Sequence, residues 1–425
     1  MHGRRGVMCG LLSVGAAAML APSKAQAAAH TVRWNWWGNP ERDRRTIEAI
    51  KLYSLQHPDV QIIGEAAAWP DYWPKLATMV AGRSAPDIIQ MDYRYLVEYA
   101  RRGALASLDP LIPKPLDLSG FAKAETDGGS VDGKIYGVSV GANAYSVHYN
   151  TAVFKRLGVP EPKTGWTWAD FEEIATAIVK ASPKGFYGAA DGSRQDDVLE
   201  RYLRQHDKAY FKADGQLGFV PDDVAAFFAF WDGLRKKGVV TPPQVTATDR
   251  GELNSSMLTT EKAAMAWHHA NQLPGVQGLM TDPIALATFP APGSGQDSGN
   301  YLKPSQLMTI SARSGVKEHA ADVIRFMLAD PAGANILSIE RGVPESATLR
   351  AQLMPNLKPL DAAVVHYIEI VEKSTKPLPP PPPKGGGAVN LLVPRIADKV
   401  AFGQITPQQG GQEFYSTLET MLKRA

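Results

Sequence analysis

The sequence contains very little cysteine. Its 425 residues include a single one, Cys9, which lies close to the N-terminus. A chain with one thiol forms no internal disulfide and offers no cysteine cluster for a metal ion. A chain of this length can bury a large core, so it does not need disulfides for stability.

Long apolar runs and an excess of charge are missing as well. No run reaches the roughly 18–20 apolar residues that a membrane-spanning helix requires. The formal net charge is only +2, which gives no electrostatic reason to expect a nucleic-acid partner. Hydrophobic residues make up 44% of the chain, too many for a disordered protein. The length predicts two or more domains.

The N-terminal stretch has the pattern of an export signal. Arg4 and Arg5 form a basic start, an apolar segment covers residues 7–21, and small residues fit a cleavage site after Ala27. We therefore expect residues 1–27 to be a cleaved signal peptide. The mature protein is then expected in the periplasm. The segment carries three basic residues and no acidic one, so its removal changes the net charge from +2 to −1. A retained membrane anchor and the twin-arginine route stay open as alternatives.

Strand-like and helix-like segments alternate at the start of the mature chain. A period of two predicts a strand, and apolar residues three or four apart predict a helix. The predicted strands are residues 31–36, 60–65 and 87–91, and the predicted helices are residues 41–56, 71–81 and 93–102. This order favours a parallel, doubly wound sheet.

The pattern changes in the later part of the chain. Extended segments are predicted at residues 135–140, 145–149, 284–289 and 306–311, and helices at 221–237, 320–329 and 407–423. A further helix begins at Thr167, which forms a capping-box pattern with Asp170.

A proline-rich segment stands out near the C-terminus. Six prolines lie between Pro377 and Pro383, and Lys384 and three glycines follow. The composition is typical of polyproline II structure or of a flexible linker. Only 38 residues follow Gly387, too few for an ordinary domain. We interpret the segment as a rigid surface loop, with a partner-recognition motif as the alternative.

A series of short motifs then resembles a known family. In chain order the motifs are Trp36-Trp37-Gly38 with Arg42, Pro58-Asp59-Val60, Trp69-Pro70-Asp71-Tyr72-Trp73, Ala85-Pro86-Asp87-Ile88-Ile89, Gly103-Ala104-Leu105 with Leu108-Asp109, Asp132-Gly133-Lys134-Ile135-Tyr136-Gly137, Tyr149-Asn150, Lys262-Ala263-Ala264-Met265-Ala266-Trp267 and Arg341-Gly342-Val343-Pro344. Each motif is weak alone, but the ordered set covers nearly the whole mature chain. It resembles the extracellular solute-binding proteins of bacterial ABC importers, in the carbohydrate-binding, maltose-binding-protein-like group.

The tryptophan pair narrows the resemblance. Trp36 and Trp37 with a downstream arginine are similar to a subgroup associated with plant-derived oligosaccharides, including pectin oligomers, and with small sugars. The subgroup has a further glycine after Gly38, whereas Asn39 and Pro40 stand here.

The resemblance implies a two-lobed α/β fold of the periplasmic-binding-protein type, with three hinge crossings and a central ligand cleft. The implied N-terminal lobe comprises residues 28–139 and 290–340, and the C-terminal lobe residues 140–289 and 341–425. The crossings are expected near residues 138–146, 281–290 and 339–345.

The resemblance also implies a function. The protein is expected to capture a sugar, either a mono- or an oligosaccharide and with uronate-containing sugars included, and to deliver it to the transmembrane subunits of an ABC permease. It is expected to be a monomer without enzymatic activity, without a cofactor or metal ion, and without a nucleic-acid partner.

A sugar site needs aromatic faces that pack on the C–H groups of the ring, beside paired donors and acceptors for the hydroxyls. The chain has nine tryptophans, and several stand beside such polar residues. The candidate ligand contacts are Trp37, Arg42, Trp69, Asp71, Tyr72, Asp92, Tyr93, Asn143, Trp267, His269, Asn271 and Arg341. Some of them follow predicted strands, where ligand sites of open α/β sheets lie.

Several candidates also have a purely structural interpretation. The helical spacing of Trp69 and Tyr72 favours packing, and Trp34 is expected in the sheet core. Arg42 fits a solvated first helical turn, and Asp92 fits a helix cap. Arg341 fits a residue that satisfies hinge carbonyls.

Two other functions are compatible with parts of the sequence. A carbohydrate-active hydrolase or lyase needs paired carboxylates, which any chain with 43 acidic residues supplies. No Gly-x-Ser-x-Gly elbow, phosphate loop or His-Glu-x-x-His motif is present.

The same scaffold binding a non-sugar solute, such as iron or a polyamine, is the second rival. Iron sites of this kind use clustered tyrosines, whereas Tyr93, Tyr95 and Tyr99 have helical spacing. His268 and His269 are adjacent on an extended segment and point to opposite faces, which argues against a shared metal ion.

Overall fold

The computed structural model describes residues 30–119, 121, 126, 128–344, 347–374 and 376–424. The expected signal peptide lies outside the described residues. Among the residues described, no helix is both long enough and apolar enough to cross a membrane.

Strands and helices alternate regularly up to Arg101, and four short strands then lead to the first passage between the two sheets. In chain order these elements are β1 (His30–Trp37), α1 (Pro40–Gln56), β2 (Val60–Ala67), α2 (Trp69–Ala81), β3 (Ile88–Met91), α3 (Tyr93–Arg101), β4 (Ser130–Val131), β5 (Lys134–Ile135), β6 (Gly137–Ser139) and β7 (Ala142–Asn143). The three predicted strand–helix pairs are confirmed. Helix α2 begins two residues earlier than predicted, because Pro70 is compatible with the first turn of a helix.

The middle of the chain is richer in helix. Its elements are β8 (Tyr145–Asn150), α4 (Thr151–Leu157), α5 (Trp168–Ala181), β9 (Tyr187–Ala189), α6 (Asp196–Gln205), β10 (Ala209–Phe211), β11 (Leu217–Gly218), α7 (Pro221–Lys236), α8 (Pro243–Thr246), β12 (Ala263–His269), α9 (Leu273–Gln277) and β13 (Ile284–Ala287). The predicted capping box is confirmed, since the side chains of Thr167 and Asp170 each accept a hydrogen bond from the other residue's backbone N–H.

The last part returns to the first sheet and then ends in helices. Its elements are β14 (Lys303–Pro304), β15 (Leu307–Ile310), α10 (Lys317–Leu328), α11 (Pro331–Leu337), α12 (Ala347–Leu353), α13 (Pro359–Glu372), α14 (Val389–Ala401) and α15 (Pro407–Arg424). Short 3-10 turns lie at Asp109–Leu111, Gly192–Arg194, Leu253–Ser255, Ala270–Gln272, Met354–Asn356 and Gly386–Ala388.

Two sheets organise the molecule. The first has the strand order β2-β1-β3-β15-β6, and the second has the order β13-β8-β12-β9. Strand β1 is parallel to β2 and β3, as the sequence predicts. The first sheet as a whole is mixed, because the returning strand β15 runs antiparallel to both β3 and β6. In the second sheet, β8 is antiparallel to β12 and β13.

The side chains of β1 divide between the two faces of its sheet. Trp34 and Trp36 are fully buried in a core that includes residues of α1 and α10. The predicted core position of Trp34 is therefore confirmed. Trp37 lies on the opposite face with residues of α2 and α3, because neighbouring side chains of a strand alternate between faces.

The three connections between the sheets lie side by side. Strand β7 pairs with β14, and Ala142 also forms a bridge with Val343. The backbone at Gly141 lies so close to Gly342 that a Cβ atom at residue 141 would be 2.7 Å from the carbonyl carbon of residue 342. Glycine is required at this crossing because a side chain would force the connections apart.

The contacts of residues 291–302 favour a later second crossing than the one predicted near residues 281–290. Residues 291–302 still contact the second sheet and its helices: the N–H of Ala291 donates to the Trp166 carbonyl, and the Asn300 amide donates to the Tyr145 carbonyl. We therefore propose that the second crossing lies at residues 303–305, with the rest of the predicted division into lobes unchanged.

His148 gives the second sheet a pH-dependent stability. It lies fully buried in β8, with the ring of His268 at 5.1 Å in β12. Burial lowers the pKa of His148 well below its usual value and lowers the pKa of His268 to about 4. When the pH is below the ordinary histidine pKa, these histidines bind protons in the unfolded chain but not in the folded chain. The free energy of unfolding therefore falls as the pH falls.

We predict that His148→Phe reduces this acid sensitivity. Between pH 7.5 and pH 5.0, the wild type should lose about 2 kcal/mol more unfolding free energy than the variant. Urea unfolding at the two pH values measures the difference. His366→Phe is the matched control, because the His366 side chain is 74% exposed. Equal acid-induced losses in the wild type and in His148→Phe would contradict the prediction.

Candidate functional site

A cleft of about 1520 Å³ lies between the two sheets. One wall comes from the end of β1 and the starts of α1, α2 and α3. The other wall comes from the start of α6, the end of β12 and the turns around residues 246–257. The carboxyl ends of β1 and β3 thus point at the cleft, as expected for ligand sites of α/β sheets.

Aromatic rings cover part of the first wall. Trp37, Trp69 and Trp73 line the cleft. The ring centroids of Trp69 and Trp73 lie 5.1 and 5.5 Å from that of Trp37. Because the three rings support one another, the wall presents a rigid apolar surface.

Two predicted contacts in α2 do not line the cleft. Tyr72 is fully buried behind Trp37, and its hydroxyl donates to the Gln90 carbonyl at 2.5 Å. Asp71 is exposed and lies outside the cleft lining. Tyr72 therefore packs in the core, as its helical spacing indicates, whereas Trp69 lines the cleft.

Arg42 lines the cleft but is held by the protein. Asn39 caps α1 by accepting from the backbone N–H groups of residues 41 and 42, which fixes the first turn. The Arg42 Nε then donates to the Glu340 carboxylate at 2.7 Å, and Nη1 donates to the Trp37 carbonyl. Both side chains of the ion pair are at least nine-tenths buried. Arg42 is thus a buried anchor of the third crossing, and not a solvated residue.

Asn143 and Asn271 form a second buried link at the base of the cleft. The Asn143 amide donates to the Asn271 side-chain oxygen at 2.8 Å. The Asn271 amide donates to the Glu340 carbonyl at 2.9 Å. These hydrogen bonds join two of the crossings to the end of β12. The two predicted contacts, Asn143 and Asn271, therefore lie together, and their side chains already have hydrogen-bond partners within the protein.

Trp267 and His269 stand on the second wall. Trp267 is 3% exposed, its indole N–H donates to the Ala190 carbonyl, and its ring packs on Phe171 and Phe289. His269 lies nearer the cleft space, with Nε2 at 3.5 Å from Asp197. Trp267 therefore closes the wall from behind, whereas His269 faces the charged centre of the cleft.

Tyr93 and Arg341 lie outside the cleft lining. The Tyr93 side chain does not line the cleft, and its hydroxyl donates to the Pro379 carbonyl at 3.2 Å. Arg341 is 1% exposed and donates to the side chains of Gln90, Gln306 and Thr46. Burial lowers the pKa of Arg341 to about 9. Arg341 is thus a buried donor between the first sheet and the third crossing.

A network of charges fills the centre of the cleft. Arg94 donates to Asp196 at 2.6 Å and to Asp92 at 3.1 Å, and lies 3.5 Å from Asp197. Lys303 lies 3.7 Å from Asp92. Since Arg94 belongs to α3 and Asp196 to α6, this network joins the two walls directly.

The carboxyl groups of this network have pKa values that are shifted in different directions. Burial raises the pKa of Asp196 to about 6, although Arg94 opposes the change. Burial also disfavours ionised Asp197, but His269, Lys303 and Arg201 outweigh it and hold that pKa well below its usual range. The pKa of Asp92 is lowered because Lys303 and Arg94 together outweigh the effect of burial. The centre therefore offers both donors and acceptors to a bound molecule.

Sequence reasoning missed most of this network. Arg94 was overlooked although it follows two predicted contacts, Asp92 and Tyr93. Asp196 and Asp197 stand in the first turn of an ordinary helix, where acidic residues are common. Lys303 has no signal of this kind, because no motif of the sequence marks residues 303–305. Only the folded chain brings these residues together.

Within the described part of the chain, no group of three or more His, Cys, Asp or Glu residues is arranged to hold a metal ion.

Comparison with known proteins adds the family. A model described as bacterial extracellular solute-binding protein matches residues 48–360. A lactose-binding protein of Rhizobium radiobacter is 32% identical over 212 residues, which is 48% of this chain and 47% of the relative. An arabinooligosaccharide-binding protein of Bacillus subtilis is 25% identical over 216 residues, which is 50% of this chain and 49% of the relative. The matched region spans about half the length of these curated relatives.

Solved structures share the fold over almost the full length. A family 1 extracellular solute-binding protein from Alicyclobacillus acidocaldarius is 29% identical, with a TM-score of 0.66 and coverage of 92% of this chain and 98% of that one. A periplasmic oligogalacturonide-binding protein from Yersinia enterocolitica is 22% identical, with a TM-score of 0.84 and coverage of 93% and 99%. The predicted two-lobed α/β fold is confirmed. Because the family model covers well over half of the sequence, the chain belongs to the bacterial extracellular solute-binding proteins.

Proposed function

We propose that the protein binds a neutral saccharide in the cleft and delivers it to the transmembrane subunits of an ABC importer. The aromatic wall beside the charged centre carries this proposal. A sugar presents apolar C–H faces and a rim of hydroxyls, and the cleft has one surface for each. The sugar and oligosaccharide ligands named for the relatives support the same ligand class. We further propose a monomer in the periplasm, with the signal peptide cleaved after Ala27.

The pairing of the central charges favours a neutral ligand over a uronate. Arg94 and Lys303 are the cations at the centre, and each already lies beside a carboxylate. A ligand carboxylate would have to compete with Asp92 and Asp196 for these partners. Hydroxyl groups, in contrast, can both donate to carboxylates and accept from cations without displacing a charge.

The proposed contacts are a revised set of residues. Trp37, Trp69 and Trp73 supply apolar faces, and His269 and the charged network supply hydrogen bonds. Arg42, Asn143 and Asn271 are proposed to shape the base of the cleft through their internal bonds.

Binding is proposed to be coupled to lobe closure. A ligand that touches both walls stabilises the closed form relative to the open one. The Arg94–Asp196 ion pair already spans the two walls in this conformation.

A thermal-shift screen tests the ligand class. The chain from Ala28 onward is heated with neutral and uronic mono- and oligosaccharides, and with iron and polyamines for comparison. A ligand present at 100 times its dissociation constant adds ~2.7 kcal/mol of stability, which raises the melting temperature visibly. We expect the largest shifts with neutral sugars.

The other outcomes separate the rivals. A shift with uronic sugars alone would contradict the neutral ligand but keep sugar binding. A shift only with iron or polyamines would contradict sugar binding. Conversion of the added sugar into shorter products, followed by chromatography, would reveal an enzyme.

We predict that Trp69→Leu weakens binding of the identified sugar about tenfold, because a stacking face is lost. Trp69 is only partly buried, so the variant should remain folded. Calorimetric titration measures the affinity. Trp168→Leu is the matched control, since this tryptophan is also partly buried but lies outside the cleft lining. Equal losses of affinity in both variants would contradict a stacking role for Trp69.

We predict that Arg42 acts on stability and not through ligand contact. Glu340→Gln removes its buried partner and should lower the free energy of unfolding by about 3 kcal/mol. The apolar double variant Arg42→Met/Glu340→Leu should recover much of this loss, because no charge is left unpaired. Urea unfolding measures both changes. If the double variant is stable but no longer binds the sugar, Arg42 is a ligand contact and the prediction is wrong.

A further inference from the structure

The proline-rich segment is anchored on the second lobe. We call residues 376–387 the strap; they follow α13 and lead into α14. The Lys376 ammonium donates to Asp207 at 3.0 Å, and the Arg204 guanidinium donates to the Pro377 carbonyl at 3.0 Å. At the other end, Gly386 packs so closely on the Phe211 ring that a Cβ atom would lie 2.9 Å from it. The strap is thus fixed at both ends, as expected for a rigid surface loop.

The strap also contacts the first lobe. The Tyr93 hydroxyl donates to the Pro379 carbonyl at 3.2 Å, and the backbone N–H of Gly385 donates to Glu98 at 3.4 Å. A side chain at Gly387 would collide with the Tyr95 ring. All three partners lie on α3, so the strap reaches from α6 and β10 across to the first lobe.

Only one layer of side chains separates the strap from the cleft. A cavity of about 50 Å³ lies against the strap, with Pro379, Pro380, Pro382, Gly386 and Gly387 in its wall. The opposite wall includes Asp92, Arg94, Asp196 and Lys303, and these same residues line the main cleft. The charged network is therefore a partition between the cleft and the strap.

This partition leaves no passage for a sugar ring. Arg94 and Asp196 are hydrogen-bonded to each other at 2.6 Å across the two lobes, so no ring fits between them. The strap bridges the same two lobes behind this pair. Proline restricts the backbone strongly, so the strap resists displacement by a ligand that pushes against it.

We propose that the strap and the Arg94 network together close one end of the cleft, so that the protein recognises the end of a saccharide chain there. This inference rests on the proposed function and deepens it, because it restricts recognition to the end of a saccharide chain. The terminal sugar unit lies against Arg94, Asp196 and His269, and the chain extends only in the other direction. The strap thus determines which part of a saccharide chain the cleft accepts, and it is not a partner-recognition motif.

End-labelled sugars test the closed end. The sugar found in the thermal-shift screen is prepared untagged, with a bulky fluorophore at the reducing end, and with the same fluorophore at the non-reducing end. The wild type should bind the untagged sugar, and at least one of the two tagged forms should bind at least about 100-fold more weakly because of steric exclusion. Calorimetric titration or fluorescence anisotropy gives the affinities.

A strap variant then locates the exclusion. Pro379–Pro383 are replaced by alternating glycine and serine, alone and together with Arg94→Ala. In the combined variant, the affinity for an excluded tagged sugar, relative to that for the untagged sugar in the same variant, should rise at least about tenfold. Lys376→Ala is the matched control, because it removes a surface ion pair and leaves the prolines in place; it should recover nothing.

The outcomes separate this inference from the proposed function. Binding of both tagged sugars to the wild type as tightly as the untagged sugar would overturn the closed end and leave sugar binding intact. Exclusion that persists in the combined variant, with untagged binding retained, would place the block elsewhere and also overturn the inference. If the untagged sugar fails to bind the wild type, the proposed function fails and the inference fails with it.

Discussion

The buried ion pair between Arg42 and Glu340 is the interaction on which the cleft depends. The Glu340 carboxylate accepts from Arg42 and Asn39 at the start of α1, and its backbone carbonyl accepts from Asn271 at the end of β12. One residue of the third crossing is therefore bonded to both walls. Asn143 joins the same network from the first crossing. Because both charges are buried, the loss of either partner leaves an uncompensated charge, and the geometry of the cleft base is correspondingly strict.

The centre of the cleft also contains charged side chains that are paired with one another, but it is more accessible. Burial disfavours the charged forms of Asp92, Arg94, Asp196 and Asp197. Arg94 and Lys303 each lie beside a carboxylate. Asp196 and Asp197 are adjacent in sequence but have pKa values shifted in opposite directions, because burial, Asp197 and Glu200 act on Asp196 whereas His269, Lys303 and Arg201 act on Asp197. A preorganised set of donors and acceptors of this kind can bind hydroxyls without first rearranging.

The aromatic residues illustrate how packing and binding share one sequence pattern. Trp34, Trp36 and Trp37 follow one another at the end of β1, yet two are core and one reaches the cleft. In α2, Trp69 and Trp73 reach the cleft while Tyr72 packs behind them. The helix places side chains three and four residues apart on one face, but its rotation against the sheet decides which rings stay accessible. That rotation is a property of the whole lobe.

The sequence by itself determined the alternation of strands and helices, the core position of Trp34, the capping box at Thr167 and the family, because these depend on local periodicity and on short motifs in order. It also predicted that Trp37, Trp69, Asp92 and His269 lie at the cleft, because they follow strands or stand near the starts of helices. Only the tertiary structure decided that Arg42 and Arg341 are internal anchors, that Arg94 meets Asp196, and that the prolines reach α3. Each of these contacts joins residues from about 100 to about 300 positions apart, and a hydrogen bond at that separation depends on how two lobes pack, which no local pattern encodes.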